Sequence, residues 1–296
     1  MRGISIGEVL WDVIGPCEHL GGAPFNFAVH LHNLGHNVDF VSAVGKDARG
    51  RRVLGRMAHL GLPSHYVGQI LAYPTGTASV VLDRTRQPRF VIHHPAAYDF
   101  PHLPQAELAE LCSPTPELIY FGTLFQMSFQ ARQLTFELLT NCPQARRFYD
   151  VNLRTDSFEP ALVEELMSQA TIAKMNDQEV ATISSMFGTP VASLEVFCRD
   201  YSHRFGWEAI CVTCGAQGCA LLVGDTFVVS PGYDVAVVDT IGAGDAFAAA
   251  FAHGLVSGWT PDKIADFANR VGALVASRAG ATPEWTLDEA AALEHR

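Results

Sequence analysis

The sequence predicts an α/β protein built on a doubly wound, mostly parallel sheet with helices on both faces. Three observations carry that expectation. Short apolar runs alternate with stretches of helical length, as successive βα units do. Hydrophobic residues fill 48% of 296 positions and charged residues only 17%, a balance suited to a sheet covered on both sides. The length allows a large core, so residues 1–296 are expected to form a single domain.

Residues 4–11 read as the opening strand, with Asp12 at its end beside the turn at Gly15 and Pro16. Gly21 and Gly22 open a close backbone approach before a helix from about 24 to 34, which Gly35 stops. Residues 38–44 form a second strand, Gly45, Asp47 and Gly50 mark a turn with Lys46 exposed or near a ligand, and a helix from 49 to 60 follows. Residues 75–83 and 88–94 break the alternation: they read as two strands joined by a polar turn at 84–87, with no helix between them. Strands at 118–123 and 147–152 flank a helix near 128–140, and each ends in polar residues, where ligands collect in open α/β sheets. Asn176 and Glu179 open a further helix one turn apart, a spacing that serves either helix capping or a water-held Mg²⁺. Thr213, Gly215 and Gly218 lie between two strand candidates and fit a hairpin turn equally well.

The stretch VVDTIGAGDAF, 237–247, is expected to start as a short apolar strand and to break at Gly242 and Gly244. It then enters a buried helix, 246–256. Amides at Gly242, Ala243 and Gly244, with the helix dipole behind them, suit an anion. Asp245 would repel a dinucleotide pyrophosphate there, and Phe247 stands where the third glycine of that fingerprint belongs. Two roles stay open for Asp245: a helix cap, or a base that takes a hydroxyl proton during transfer to a phosphorus held by the amides.

The net charge of −11, from 20 basic and 31 acidic residues with no Lys/Arg run, argues against nucleic acid as a partner. Gly7 and Glu8 break the N-terminal apolar run too early for a signal peptide, and no run reaches membrane-spanning length. Seven scattered cysteines point to reduced thiols, so a cytoplasmic location is expected. Cys211, Cys214 and Cys219 lack the second ligand pair of a zinc site and read as core residues.

The words DTIGAGDAF at 239–247 and GGAPFNFA at 21–28 resemble the C-terminal and N-terminal signatures of the ribokinase-like, or PfkB, carbohydrate kinases. Glu8 to Asp12 with the following Leu20, Gly21 and Gly22 look most like the fructokinase branch, and the D-x-N-x-R word at 150–154 resembles that of fructokinases and ketodeoxygluconate kinases. The resemblance implies ATP-dependent phosphorylation of a monosaccharide hydroxyl, fructose first, with Asp245 as general base and an anion hole at Gly242, Ala243 and Gly244. It implies sugar contacts from Asp12, Gly21, Gly22, Asn26 and Arg154, and nucleotide contacts from Asn176, Thr213, Gly215, Gly218 and Asn269. Mg²⁺ would be steered by Asn176 and Glu179, and K⁺ held by Asp239 with the 278–283 loop. Residues 12–22 and 76–98 would form a small β-sheet lid, through which two copies pair as a homodimer. Ala23, where many ribokinases carry Lys, argues against ribose. For the residues alone, Asp12 also fits a turn, Asn26 a cap, Arg154 a surface ion pair and Asn269 a solvated helix position. The rival readings are other acceptors (mannose, ribose, 2-keto-3-deoxygluconate), a dinucleotide oxidoreductase, and a sugar-sensing protein without catalysis.

Overall fold

The computed structural model describes residues 1–82, 88–154 and 157–294. In chain order its strands and helices are β1 (Arg2–Ile6), β2 (Leu10–Ile14), β3 (Cys17–Gly21), α1 (Ala23–Asn33), β4 (Asn37–Gly45), α2 (Ala48–His59) and β5 (Val67–Ile70). There follow β6 (Gly76–Leu82), β7 (Pro88–Ile92), α3 (Gln105–Leu111), β8 (Leu118–Gly122), α4 (Phe129–Asn141), β9 (Arg146–Asp150), α5 (Pro160–Gln169) and β10 (Ile172–Asn176). The remainder comprises α6 (Asp177–Phe187), α7 (Leu194–Phe205), β11 (Ala209–Thr213), β12 (Cys219–Val223), β13 (Thr226–Ser230), α8 (Ala243–Val256), α9 (Pro261–Ala276) and α10 (Leu287–Ala291).

The main sheet has nine strands in the order β13-β12-β11-β10-β9-β8-β1-β4-β5. Every pair from β5 to β11 is parallel, and β12 and β13 close one edge as antiparallel strands. Side chains alternate across it as the pleat requires: Ile119 and Phe121 enter one core, Leu118 and Tyr120 the other. The first core is covered by α3 to α7, the second by α1, α2, α8, α9 and α10. From β1 the chain winds first toward β5 and then back through β8 toward β11, so the order reverses beside β1. The carboxyl ends of the parallel strands leave a crevice at that reversal, and α1 and α8 begin there. Residues 246 to 252 of α8 are all buried, five of them alanines, which lets the helix lie close against α1 and α9.

The second sheet has four strands, β3-β2-β6-β7, with β2 and β6 parallel and both flanking pairs antiparallel. This matches the expected lid, beginning at Leu10 rather than 12; the turn expected at 84–87 lies outside the described residues. Glu18 of β3 fastens the lid to α2 through Arg49 at 2.6 Å and through Arg52, whose guanidinium lies 3.9 Å above the Trp11 ring.

Two expectations fail. Residues 4–11 are not one strand: the chain leaves the main sheet at 7–9 and Leu10 starts the lid, so Asp12 sits within β2, opposite His19 and Ala78, instead of at a strand end. Gly7 makes the break possible, since a Cβ there would lie 2.1 Å from the Pro24 ring. Val237 and Val238 form no strand; they are 63% and 64% exposed. The amides of Val238 and Asp239 go to the Ala276 carbonyl at the end of α9, which leaves this segment no ladder to join. Cys211 and Cys219 are buried in the core, as expected, with Cys214 half-buried. Among the described residues no helix is long and apolar enough to cross a membrane.

Candidate active site

A cavity of about 360 Å³ lies between the lid and the carboxyl ends of β1, β8, β9, β10 and β11. Leu10, Ala78 and Ile92 of the lid and Leu124 after β8 supply apolar wall, and the rest of the lining is mostly polar.

Asp245 occupies the first turn of α8, whose cap is Gly242, so the capping role is excluded. Its Oδ2 instead accepts from the Asn26 amide nitrogen at 2.8 Å. Asn26 is likewise no cap: it lies inside α1, buried, and the cap is Gly22. Burial pushes the Asp245 carboxyl up to about 6, with the Asp150 charge adding to the rise and Asn26, Lys174 and Arg154 opposing it. Gly242 has φ of 79°, and a Cβ on it would stand 2.4 Å from the Ala281 carbonyl oxygen. Only glycine fits there. Among the described residues nothing accepts from the amides of Gly242 and Gly244, whereas that of Ala243 reaches the Thr240 carbonyl at 3.3 Å. Two of the three expected amides therefore stand open to an anion.

The loop behind Gly242 is braced from α1. The Trp285 indole donates to His30 Nδ1 at 3.1 Å, which leaves His30 Nε2–H to donate to the Ala281 carbonyl at 2.9 Å. Burial drives the His30 imidazole down to about 4, so it stays neutral. Asp239 braces the same loop: Oδ1 accepts from Ile241 N at 3.0 Å and Oδ2 from Gly280 N at 3.2 Å.

Lys174 lies in the middle of β10, its ammonium 3.0 and 3.1 Å from the two oxygens of Asp150 at the end of the neighbouring strand. Both side chains are buried, at 8% and 1% exposure, and Tyr120 also donates to Asp150, at 2.9 Å. Burial works against the Lys174 charge, but the carboxylates of Asp150, Glu179 and Asp245 outweigh it and hold the ammonium above its ordinary value. A Cβ built on Gly244 would lie 3.7 Å from Lys174 Nζ, which places this cation beside the open amides.

Asn176 and Glu179 form a reciprocal capping box at the start of α6. Glu179 Oε2 accepts from Asn176 N and Oε1 from Leu153 N, at 2.8 and 2.7 Å, and both residues line the cavity. Burial raises the Glu179 carboxyl, against those amides and Lys174. At the lid end, Asp12 lines the cavity, and burial raises its carboxyl against the charges of Arg154 and His19. A Cβ on Gly21 would come within 2.6 Å of Asp12 Oδ2, and one on Gly22 within 2.5 Å of the Glu8 carbonyl oxygen. Arg154 lines the cavity from the loop after β9.

The structure thus gathers Asp12, Gly22, Asn26, Arg154, Asn176, Glu179, Thr213, Gly242, Gly244 and Asp245 around one cavity. Gly215, Gly218 and Asn269 do not line it. The two glycines make the β11–β12 hairpin turn, and a Cβ on Gly218 would fall 2.1 Å from the Ser230 carbonyl oxygen. Asn269 is buried rather than solvated, and its amide nitrogen donates to the carbonyls of Ser230 and Pro231. Lys46 is exposed and away from the cavity.

Glu8, Asp150, Asn152 and Lys174 also line the cavity; sequence reasoning placed the first three only within motif words and gave none of the four a role. Lys174 carried a signal: a lone cation inside the apolar run of a central strand needs a partner, and Asp150 ends the strand beside it. Asn152 has φ of 36°, a backbone state that side-chain-bearing residues seldom adopt away from functional loops.

Fructokinase-1 of Oryza sativa subsp. japonica is 28% identical over 300 residues, covering 96% of this chain and 89% of that protein. The structure of a sugar kinase from Pyrococcus horikoshii in complex with ATP is 26% identical, with a TM-score of 0.82 over 98% of this chain and 99% of its own. A 2-dehydro-3-deoxygluconokinase of Thermotoga maritima superposes with a TM-score of 0.86 over 98% of each chain; at 16% identity that likeness is one of fold. The description "pfkB family carbohydrate kinase" matches residues 7–287, a span that takes in every group around the cavity, and the chain belongs to that family of carbohydrate kinases.

Proposed function

We propose that the chain transfers the γ-phosphate of ATP to a hydroxyl of fructose, with Asp245 as general base. One observation carries this reading: a buried carboxylate pushed up to about 6 stands in the first turn of a helix whose leading amides are open. A base with that affinity is ionised at neutral pH yet binds a proton readily. Asp245 takes the hydroxyl proton as the oxygen attacks phosphorus, and Asn26 keeps the carboxylate aimed. The amides of Gly242 and Gly244, with Lys174 beside them, receive the charge on the migrating phosphoryl. Asp12, Gly21, Gly22, Asn26 and Arg154 position the sugar. The nucleotide runs from the anion hole toward Thr213, with Gly215, Gly218 and Asn269 shaping the loops beyond.

Mg²⁺ fits Asn176 and Glu179 through water. Both Glu179 oxygens already accept amides, and among the described residues no cluster of three or more His, Cys, Asp or Glu could ligate an ion directly. When bound, the ion neutralises the phosphates. Asp239 ties the 278–283 loop to the anion hole through two hydrogen bonds, and its remaining lone pairs with that loop's carbonyls could hold a potassium ion.

The rice fructokinase and the ATP-bound Pyrococcus sugar kinase support the choice of acceptor and donor. The marks of a non-catalytic sensor, a lost base or a blocked anion hole, are not found. Arg154 in the cavity favours one second acceptor, a sugar acid such as 2-keto-3-deoxygluconate. We further propose a cytoplasmic homodimer paired through the outer face of the lid. ADP release with ATP, Mg²⁺ and a panel of fructose, mannose, ribose and 2-keto-3-deoxygluconate tests the reading. The highest kcat/KM is expected for fructose; a higher value for the sugar acid overturns the acceptor, and NADH binding without ATP affinity overturns the kinase.

A further inference from the structure

Glu8 has no part in the chemistry described above. It sits in the break between β1 and β2, 4% exposed, and lines the same cavity as Asp12, Asn26 and Asp245. Its Oε2 is buried with no hydrogen-bond partner among the described residues, and Asn26 Oδ1, in the same wall, is also unpartnered. A buried carboxylate oxygen left without a donor is costly, and most such oxygens in folded proteins are satisfied. Two unpartnered acceptors facing one cavity call for a ligand that brings hydroxyl donors.

We propose that Glu8 receives a hydroxyl of the acceptor other than the one phosphorylated, and that it selects uncharged polyhydroxy acceptors over anionic ones. The proposal rests on the sugar-kinase reading and deepens it. The surroundings agree: Arg154 favours the charged form of Glu8, as do its own amide and that of Ala23, while Asp245 and, most strongly, burial oppose it. The charge of Glu8 is also felt at His94 and Tyr98, behind the lid strands. With burial pushing this carboxyl up to about 7, it can accept from a hydroxyl or donate to one near neutral pH. A carboxylate or phosphate on the acceptor meets instead a further negative group in a wall that already holds Asp12 and Asp245, with Lys174 engaged by Asp150 and Arg154 left to oppose them.

The test measures fructose binding by calorimetry without ATP, and ADP release in parallel, for wild type, Glu8→Gln and Glu8→Ala. Thermal unfolding serves as the fold control. Glu8→Ala is expected to weaken fructose binding and raise its KM by roughly 10-fold to 100-fold, with the KM for ATP within about 2-fold of wild type. Glu8→Gln keeps the shape, is expected to unfold at a higher temperature, and improves 2-keto-3-deoxygluconate or fructose 6-phosphate relative to fructose by about 10-fold. Unchanged fructose binding in both folded variants, or an equal rise in both KM values, overturns the role of Glu8 and leaves the kinase standing. Glu8-dependent fructose binding without ADP release in wild type supports Glu8 and overturns the kinase. No fructose binding by wild type, in either readout, overturns both.

Discussion

Replacing Asp245 by Asn should make the protein more stable while nearly abolishing turnover. The side chain is fully buried, and its carboxyl rises from 3.8 to about 6 because burial disfavours the anion. That rise corresponds to roughly 3 kcal/mol of penalty for keeping Asp245 ionised. The sign follows from linkage: the folded state binds this proton more readily than the unfolded one. The penalty is therefore absent below about pH 4, grows between about pH 4 and 6, and is complete above. Asn carries no charge and can still accept from Asn26, so at neutral pH the variant should gain up to about 3 kcal/mol. For a chain of this length that corresponds to roughly 5 °C in Tm, from an unfolding entropy of about 2.1 cal/mol/K per residue. Turnover should drop by roughly 10²-fold to 10⁴-fold, the range for a positioned base. Scanning calorimetry at pH 4, 6 and 7.5, paired with steady-state ADP release, reads both effects. Full turnover in the folded variant, or a Tm lowered equally at all three pH values, would refute the assignment.

The remaining expectations concern the surrounding groups. Wild-type kcat/KM should fall below about pH 6 as Asp245 takes up its proton, a limb read from a pH–rate profile. Lys174→Met leaves Asp150 buried and unpaired and should cost about 3–5 kcal/mol in urea unfolding; Lys174→Met with Asp150→Leu should recover most of that loss without restoring activity. Gly242→Ala forces a methyl group against Ala281 at a positive φ, so kcat should collapse and stability fall by about 1–3 kcal/mol. EDTA should abolish ADP release and excess Mg²⁺ restore it, with the Tm unchanged, because the ion is held through water and phosphate rather than built into the fold.

The strand and helix periodicities made most of the main sheet legible, and the glycine spacing at 242 and 244 pointed to Asp245 before any geometry was known. What remained hidden was hidden for physical reasons. Glu8 looks like an ordinary polar residue in a short strand, and only the break at 7–9 turns it inward. The Lys174–Asp150 pair depends on the register of β9 against β10, which no local pattern encodes. Val237 and Val238 carry a strand-like composition, yet their neighbouring amides are claimed by a helix end, and composition cannot report that. Asn269, Gly215 and Gly218 occupy positions the family resemblance singled out, and their contacts hold the loops beyond the cavity, which no local pattern shows.

The bonds from Asn26 to Asp245 and from His30 to Ala281 join positions 219 and 251 apart in the chain. During synthesis the N-terminal partners emerge from the ribosome long before their counterparts exist, so the catalytic centre cannot assemble progressively. Long-range closures of this kind slow folding, because the entropy of the intervening loop is lost before the contacts form. A fragment ending before Gly280 would keep every described strand and still lack the Ala281 wall behind Gly242, so such a truncated product should not transfer phosphate.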